Sequence, residues 1–545
     1  MPQAGRFSGR ARRVRVGDDM GCESECLNCE CYMPNYPRSR AGFQLLFDDD
    51  VPPSRFFVHF ASQRARIAMI QIDLTLSPAD LLPALQSMWE ASADRLRRIE
   101  HRYADLSQTP VFTVDGLYQP QGWTEWTQGF QFGSLILQFD ATGDQQFLDL
   151  GRRCTATAMA SHVTHTGVHD HGFNNVSTYG ALLRLINEGR LEESTWERHF
   201  YELALKASGS VQASRWAPTR GGGGYIYSFN GPQSLFVDTI RSCRALAMAH
   251  QLGHKLLGEH DQSISLLERL VNHAQATAKY NIWYGDSRDF YDVCGRTAHE
   301  SLFNTNTGDY RCPSTQQGYS PFSTWTRGLA WAVLGFAELL EWLATLSDEE
   351  LEPYGGRTNI EVGFLKAARA TADFYIENTP TCGVPYWDTG APGLVHLGEF
   401  YLDRPAEPLN DHEPVDSSAA AIACQGLLRL GSLLRERGEN VDGERYLQAG
   451  LTVLRSLLQQ PYLSSDDQHE GLLLHTVYHR PNGWDHIPSG RRIPCGEACM
   501  WGDYHLREAA LYVQRLARDE TYYTFFGPLN SVPTRERSSV SKGQS

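Results

Sequence analysis

The chain has 545 residues and a formal charge of −15, a balance that argues against a nucleic acid or an anionic membrane as partner, because either selects a basic face. Aromatic residues make up 11% of it, including 12 tryptophans, enough to wall a sugar pocket as well as to fill a core. No run of eighteen apolar residues is present and no apolar stretch follows the basic N-terminus (Arg6, Arg10, Arg12, Arg13, Arg15), so neither a membrane span nor a secretory signal is read and a cytoplasmic location is expected.

Residues 1–70 lack helical periodicity; Pro34, Pro37, Pro52, Pro53 and the run Asp48-Asp49-Asp50 mark them as a poorly ordered N-terminal extension. Four cysteines bunched there, Cys22, Cys26, Cys29 and Cys31, suggest a zinc or disulfide knot, although no second half-site follows. The other cysteines are scattered, as reduced buried thiols are. From Ser77 the pattern turns amphipathic, beginning with an outer helix from Leu81 to Tyr103. A mostly apolar helix, a Gly-rich polar turn and a more charged helix then recur. Phe130 to Phe139 pairs with Gln145 to Ala160 across Thr142-Gly143-Asp144, and Val176 to Ile186 pairs with Glu193 to Ala207. Leu235 to Leu252 precedes Ser263 to Tyr280, Trp325 to Leu346 precedes Ile360 to Tyr375, and Ser417 to Leu434 precedes Glu444 to Leu458. A last inner helix, Tyr504 to Leu516, closes the ring against the first outer one. With the less charged member of each pair facing inward, the expected fold is an all-α (α/α)6 toroid over residues 71–531, followed by a disordered tail at 532–545. An open helical solenoid is the alternative.

Two aspartates occupy comparable places in consecutive pairs. His169-Asp170-His171-Gly172-Phe173 precedes one inner helix, and Ser234-Leu235-Phe236-Val237-Asp238-Thr239 opens the next. Adjacent inner helices of a closed ring start at the same end, so both carboxylates are expected in one mouth; a single Asp there would be an ordinary helix cap. No P-loop, dinucleotide fingerprint or zinc signature falls in the toroid, so no cofactor and no metal is expected in it.

The run Gln316-Gln317-Gly318-Tyr319-Ser320, continued by Trp325-Thr326-Arg327-Gly328-Leu329-Ala330-Trp331, closely resembles the HQGYSxxSxWARGQAW signature of glycoside hydrolase family 88. Further matches in family order are Trp126-Thr127-Gln128-Gly129-Phe130, His169-Asp170, Val384-Pro385-Tyr386-Trp387-Asp388, Asp416-Ser417-Ser418-Ala419-Ala420-Ala421, His475 with Val477-Tyr478-His479, and Trp501-Gly502-Asp503-Tyr504. The resemblance implies an unsaturated glucuronyl hydrolase in which Asp238 is general acid and base and Asp170 its partner carboxylate. It places substrate-contacting positions at Trp126, Trp216, His299, Gln317, Arg327 and Trp331. Two features depart from the family. Asp238-Thr239-Ile240-Arg241-Ser242 replaces the usual Asp-Asn-Met-Met-Asn and is closer to family 105, the unsaturated rhamnogalacturonyl hydrolases, and Gln131 stands where Trp is common.

The implied substrate is a lyase-generated oligosaccharide with a Δ4,5-uronic acid at its non-reducing end. Its C4=C5 enol ether is protonated at C4 and hydrated at C5, unlike direct two-carboxylate glycoside hydrolysis. Asp238 then has to carry a proton near neutral pH; Asp170, the substrate's carboxylate and desolvation by Trp126, Trp216 and Trp331 are expected to raise its pKa. Arg327 and a protonated His299 are expected to meet the substrate's anionic group, with a structural ion pair as the alternative for Arg327. The other readings are an unsaturated galacturonyl-rhamnose substrate on the same fold, a sugar epimerase using His169, His171 and His299 as acid and base, and a non-catalytic carbohydrate-binding toroid.

Overall fold

Capping residues and left-handed glycines divide the chain into helix pairs. Gly143, at φ 75°, ends Gln128–Thr142, and Asp144 starts Gln145–Ala158 by accepting from the Gln146 N–H. Ser194, Ser265 and Asp416 cap Thr195–Ser214, Leu266–Tyr280 and Ser417–Glu436 in the same way. This is a computed structural model that describes residues 69–528 except 193. The extension up to residue 68, with its Cys22, Cys26, Cys29 and Cys31 bunch, and the tail at 532–545 lie outside the described residues.

The inner helices are Gln128–Thr142, the segment from His171 to Asn187, the segment from Thr239 to Gln251, Thr326–Leu343, Ser417–Glu436 and Met500–Ala517. Each packs on the next, and Met500–Ala517 returns to Gln128–Thr142, so the ring is closed and the solenoid alternative falls away. Every residue of Thr326–Leu343 is buried. The outer helix Gln145–Ala158 instead buries a single stripe, Phe147, Leu148, Gly151, Cys154 and Thr155, and leaves its charged face to water. Among the described residues Ser417–Glu436 alone has the length and apolarity of a membrane span, and nearly all of it is buried within the ring. The C-terminal ends of the inner helices hold a buried ionic lattice: Asp140 bonds Arg184 and Arg515, and Arg429 bonds Glu341. Tyr523 of the final segment lies against Arg184 and Arg429 and covers that end.

The third inner helix starts later than its apolar pattern suggests. Ser234–Phe236 is the edge of a three-stranded antiparallel sheet with Glu300–Phe303 and Tyr310–Ser314, because its backbone pairs with a strand from the long loop rather than with its own chain. Helix begins only at Thr239. The second inner helix contains a π turn, Val176–Gly180, in which the Gly180 N–H donates to the Asn175 carbonyl five residues back at 3.0 Å.

Candidate active site

The N-terminal ends of the inner helices open into a cavity of about 440 Å³, a volume typical of small-ligand sites. Asp170 and Asp238 both reach it, each immediately before an inner helix and each 8% exposed. They are held in register by contact between their two helices. The backbone at Gly172 lies so close to Thr239–Ser242 that an added Cβ would stand 2.3 Å from the Ser242 carbonyl oxygen. Ser242 Oγ joins the two segments by donating to the His169 carbonyl and accepting from the Gly172 N–H.

His169 stands between the carboxylates. Its Nε2 is 3.4 Å from Asp238 Oδ1 and 3.8 Å from Asp170 Oδ1. These are ion-pair contacts without the alignment of a hydrogen bond. Phe229 stacks on the imidazole and Phe236 meets it edge-on, so all three groups are removed from water. Burial opposes charge on each of them. In Asp170 burial prevails over the attraction of His169 and raises the carboxyl above its ordinary value. In His169 burial is outweighed by the two carboxylates, and the imidazole is raised. In Asp238 burial is outweighed by the His169 imidazolium, and the carboxyl falls below its ordinary value. The expected upward shift of Asp238 is therefore reversed: the imidazole one contact away holds the carboxyl below its ordinary value.

The sheet that displaces the third inner helix positions His299. The Val237 N–H donates to the His299 carbonyl at 2.9 Å, and the Gln316 N–H donates to His299 Nδ1 at 2.9 Å. Nδ1 is thus an acceptor, the ring proton sits on Nε2, and Nε2 has no hydrogen-bond partner among the described residues. Burial pushes His299 down to about 4, so the expected protonated His299 gives way to a neutral imidazole, which lies behind the cavity wall and is not part of its lining. Arg327 corresponds to its structural alternative. Nη1 donates to Asp416 Oδ2 at 2.8 Å and to the Val477 carbonyl; Nη2 donates to Gln317 Oε1 at 2.9 Å and the Tyr478 carbonyl at 2.7 Å. With four terminal donors engaged and its face against Trp325 and Trp501, the guanidinium orders the wall. It also fixes the Gln317 amide with its NH₂ as the available donor.

Trp126, Gln317 and Trp331 line the cavity beside Arg327. Trp331 packs on Phe173 and His505, and Trp126 on Phe173 and Trp501. Trp216 is placed elsewhere: it pairs with Ile226 in a short hairpin, lies under the Arg269 guanidinium at 3.9 Å and is absent from the cavity wall. His171 is also turned away, bonded to Ser208 Oγ and the His165 carbonyl, which removes one of the three histidines the epimerase reading relies on. Sequence reasoning did not assign Phe229, Tyr478, His479, Asn482 and Trp484 to the wall. Only Tyr478 and His479 carried a signal, in the Val477-Tyr478-His479 match.

A sequence model described as Glycosyl Hydrolase Family 88 matches residues 100–352. The unsaturated glucuronyl hydrolase of Bacillus sp. (strain GL1) is 26% identical over 400 residues, covering 72% of this chain and 87% of the relative. The unsaturated chondroitin disaccharide hydrolase of Streptococcus agalactiae serotype III (strain NEM316) is 26% identical over 409 residues, covering 74% and 84%. The crystal structure of the unsaturated glucuronyl hydrolase from Bacillus sp. GL1 superposes with a TM-score of 0.61 at 23% identity, over 82% of this chain and 100% of that one. Residues 100–352 thus resemble glycosyl hydrolase family 88, and the chain is a glycoside hydrolase of the (α/α)6 kind.

Proposed function

We propose that the protein removes a Δ4,5-unsaturated uronic acid from the non-reducing end of lyase-generated oligosaccharides by hydrating its C4=C5 bond. The observation that carries this is the convergence of Asp170 and Asp238 on one imidazole inside an aromatic-walled cavity. The names of the relatives, which act on unsaturated glucuronyl and chondroitin disaccharide substrates, point the same way.

Before substrate enters, the two carboxylates favour the charged imidazole of His169, and that imidazole favours the ionised form of Asp238. An entering substrate carboxylate adds a negative charge and excludes water, and both favour one more proton in the cluster. Asp238 takes it, with His169 remaining the cationic neighbour that the new anion requires. Asp238 then gives its proton to C4, and the ring oxygen shares the positive charge left at C5. Water adds at C5 and returns a proton to Asp238. The hemiketal so formed opens, and the C1 linkage to the leaving sugar is lost without attack at C1. Asp170, the other carboxylate facing His169, helps to hold the imidazolium in this buried place.

The test is a panel of lyase-made unsaturated disaccharides, followed by loss of the ultraviolet absorbance of the conjugated alkene. Glucuronyl and chondroitin types are expected to turn over and the galacturonyl-rhamnose type is not, despite the family-105-like Asp238-Thr239. General acid–base catalysis contributes about 10²–10⁴-fold, so Asp238→Asn is expected to lose activity on that scale with the fold retained. Near-normal turnover by that variant overturns the assignment, as well as defeating any catalytic role for the carboxylate.

A further inference from the structure

Away from the cavity, three groups distant in sequence meet. Asp115 sits at the tip of the hairpin formed by Gln108–Val114 and Leu117–Gly122, His486 follows the wall residue Trp484, and Glu497 precedes the Met500–Ala517 helix. One ligand-type atom from each lies within 4.8 Å of the others. His486 Nε2 is 3.2 Å from Asp115 Oδ1, yet this buried nitrogen makes no hydrogen bond among the described residues. The two atoms stand side by side instead of in line as donor and acceptor. Two ligands about 2.0–2.2 Å from one tetrahedral cation are separated by roughly 3.3–3.6 Å, close to the spacing seen.

Three further observations point to the same place. His469, 9% exposed, turns an unpartnered Nε2 toward Glu497 Oε2 from 3.7 Å. Glu497 Oε2 is itself fixed by Thr113 Oγ1 at 2.5 Å and the Gly116 N–H at 3.3 Å, as outer groups fix a metal-bound carboxylate. A void of about 10 Å³ borders His486 and Glu497, room for one water-sized sphere.

We propose that Asp115, His486 and Glu497 bind a divalent cation of the zinc class, completed by water, with His469 orienting Glu497. One imidazole and two carboxylates suit such an ion better than an all-oxygen calcium site. The ion ties the hairpin to the segment from Tyr478 to His486, in which Asp485 accepts the Tyr478 and His479 N–H groups and Tyr478, His479, Asn482 and Trp484 wall the cavity. It thereby holds one side of the active site in place. Without an ion the Asp115–His486 contact is an exposed pair of little worth, since the Asp115 side chain is 81% exposed.

The full-length protein is stripped with a chelator, loaded with zinc sulfate, desalted and analysed for metal, beside Asp115→Ala/His486→Ala treated identically. Any zinc held by Cys22, Cys26, Cys29 and Cys31 is common to both proteins, so the difference reads this site. The wild type is expected to retain roughly one more equivalent of zinc and to gain about 2 °C or more in Tm on loading, a gain the variant lacks. If the double variant does not fold, Asp115→Asn alone serves. Equal zinc content and equal melting shifts overturn the site. These readouts do not depend on the proposed activity. In turnover assays zinc is expected to lower KM in the wild type alone; a zinc-loaded wild type with the KM of the stripped protein overturns the role in holding the wall.

Discussion

Replacing His169 by Gln tests whether a buried cation beside Asp238 is needed. In the wild type one proton is shared by His169 and Asp238 as an imidazolium–carboxylate pair, so the loss of that proton is a property of the pair. At 3.4 Å two unit charges attract by about 5 kcal/mol at an effective dielectric of about 20. The net result is a His169 raised above its ordinary 6.5. The free enzyme that receives the substrate anion, with His169 charged and Asp238 ionised, therefore persists above pH 6.5, and the basic limb of kcat/KM, which reports the free enzyme, is expected above pH 6.5. In His169→Gln the proton must be held by Asp238 without the imidazole. Burial raises that carboxyl, but from an ordinary value of 3.8, so the basic limb is expected to move down by at least about one unit. Activity at pH 7.5 then falls about tenfold for each unit of displacement, while activity near pH 5 is largely retained. The pair also affects folding. His169, raised in the fold, contributes stability that is lost as pH rises through its folded pKa; Asp238, lowered in the fold, contributes stability that is lost as pH falls through its own. Both contributions are present in full between 3.8 and 6.5 and both should vanish from a pH series of melting curves in the variant. A His169→Gln enzyme with an unshifted basic limb and normal activity at pH 7.5 refutes the reasoning.

Three other substitutions separate binding from architecture. Arg327→Lys keeps a charge for Asp416 but leaves Gln317, Val477 and Tyr478 acceptors unpaired. A loss of about 2–4 kcal/mol is expected in denaturant unfolding, with kcat and KM both impaired; a raised KM at unchanged stability would instead make Arg327 a direct substrate ligand. Trp484→Ala removes a ring that is 50% exposed at the cavity wall. It is expected to raise KM by about 2–10-fold with Tm almost unchanged, and an unaltered KM counts against a sugar platform there. Gly172→Ala forces the Asp170 segment off the Thr239–Ser242 turn, at an expected cost of about 1–3 kcal/mol and with a fall in kcat exceeding any change in KM. Wild-type kinetics from that variant would show that the spacing of the two aspartates is not critical.

The helix pairs were legible because inner and outer helices differ in how much of their circumference is buried, and composition records that directly: Thr326–Leu343 reads apolar all round, Gln145–Ala158 on one stripe. The convergence of Asp170 and Asp238 followed from ring closure, since both precede inner helices. What stayed hidden depends on direction or on distant partners. His169 was visible beside Asp170, but adjacency in sequence does not say that its ring turns toward Asp238. Arg327 finds Asp416 89 residues away across the ring, so the engagement of its donors has no local signature. Ser234–Phe236 reads as a helix start because only Glu300–Leu302, outside any local window, makes it a strand. Trp216 was misplaced by the glycine run, in which Gly221 to Gly223 form the turn of a hairpin and Gly224 opens its second strand, carrying the tryptophan away from the mouth.

An acidic protein that takes an anionic substrate needs a local source of positive potential, and the engaged Arg327 does not offer one at a free donor. Two sources remain on the cavity wall. Trp126, Asp170, Asp238 and Trp325 stand at the N-terminal ends of successive inner helices, whose aligned peptide dipoles present positive ends there, each worth about 0.3–1 kcal/mol near an exposed site and more where water is excluded. The second is His169, whose charge is retained only because two carboxylates face it. Those carboxylates therefore have two linked effects: they keep a cation in a buried place that would otherwise expel it, and one of them becomes the acid once the substrate's charge arrives. Removing either aspartate weakens the site for the substrate anion by neutralising His169, as well as removing a proton carrier. Asp170→Asn is accordingly expected to raise KM and lower kcat together, whereas a variant that loses kcat alone would confine Asp170 to the chemical step.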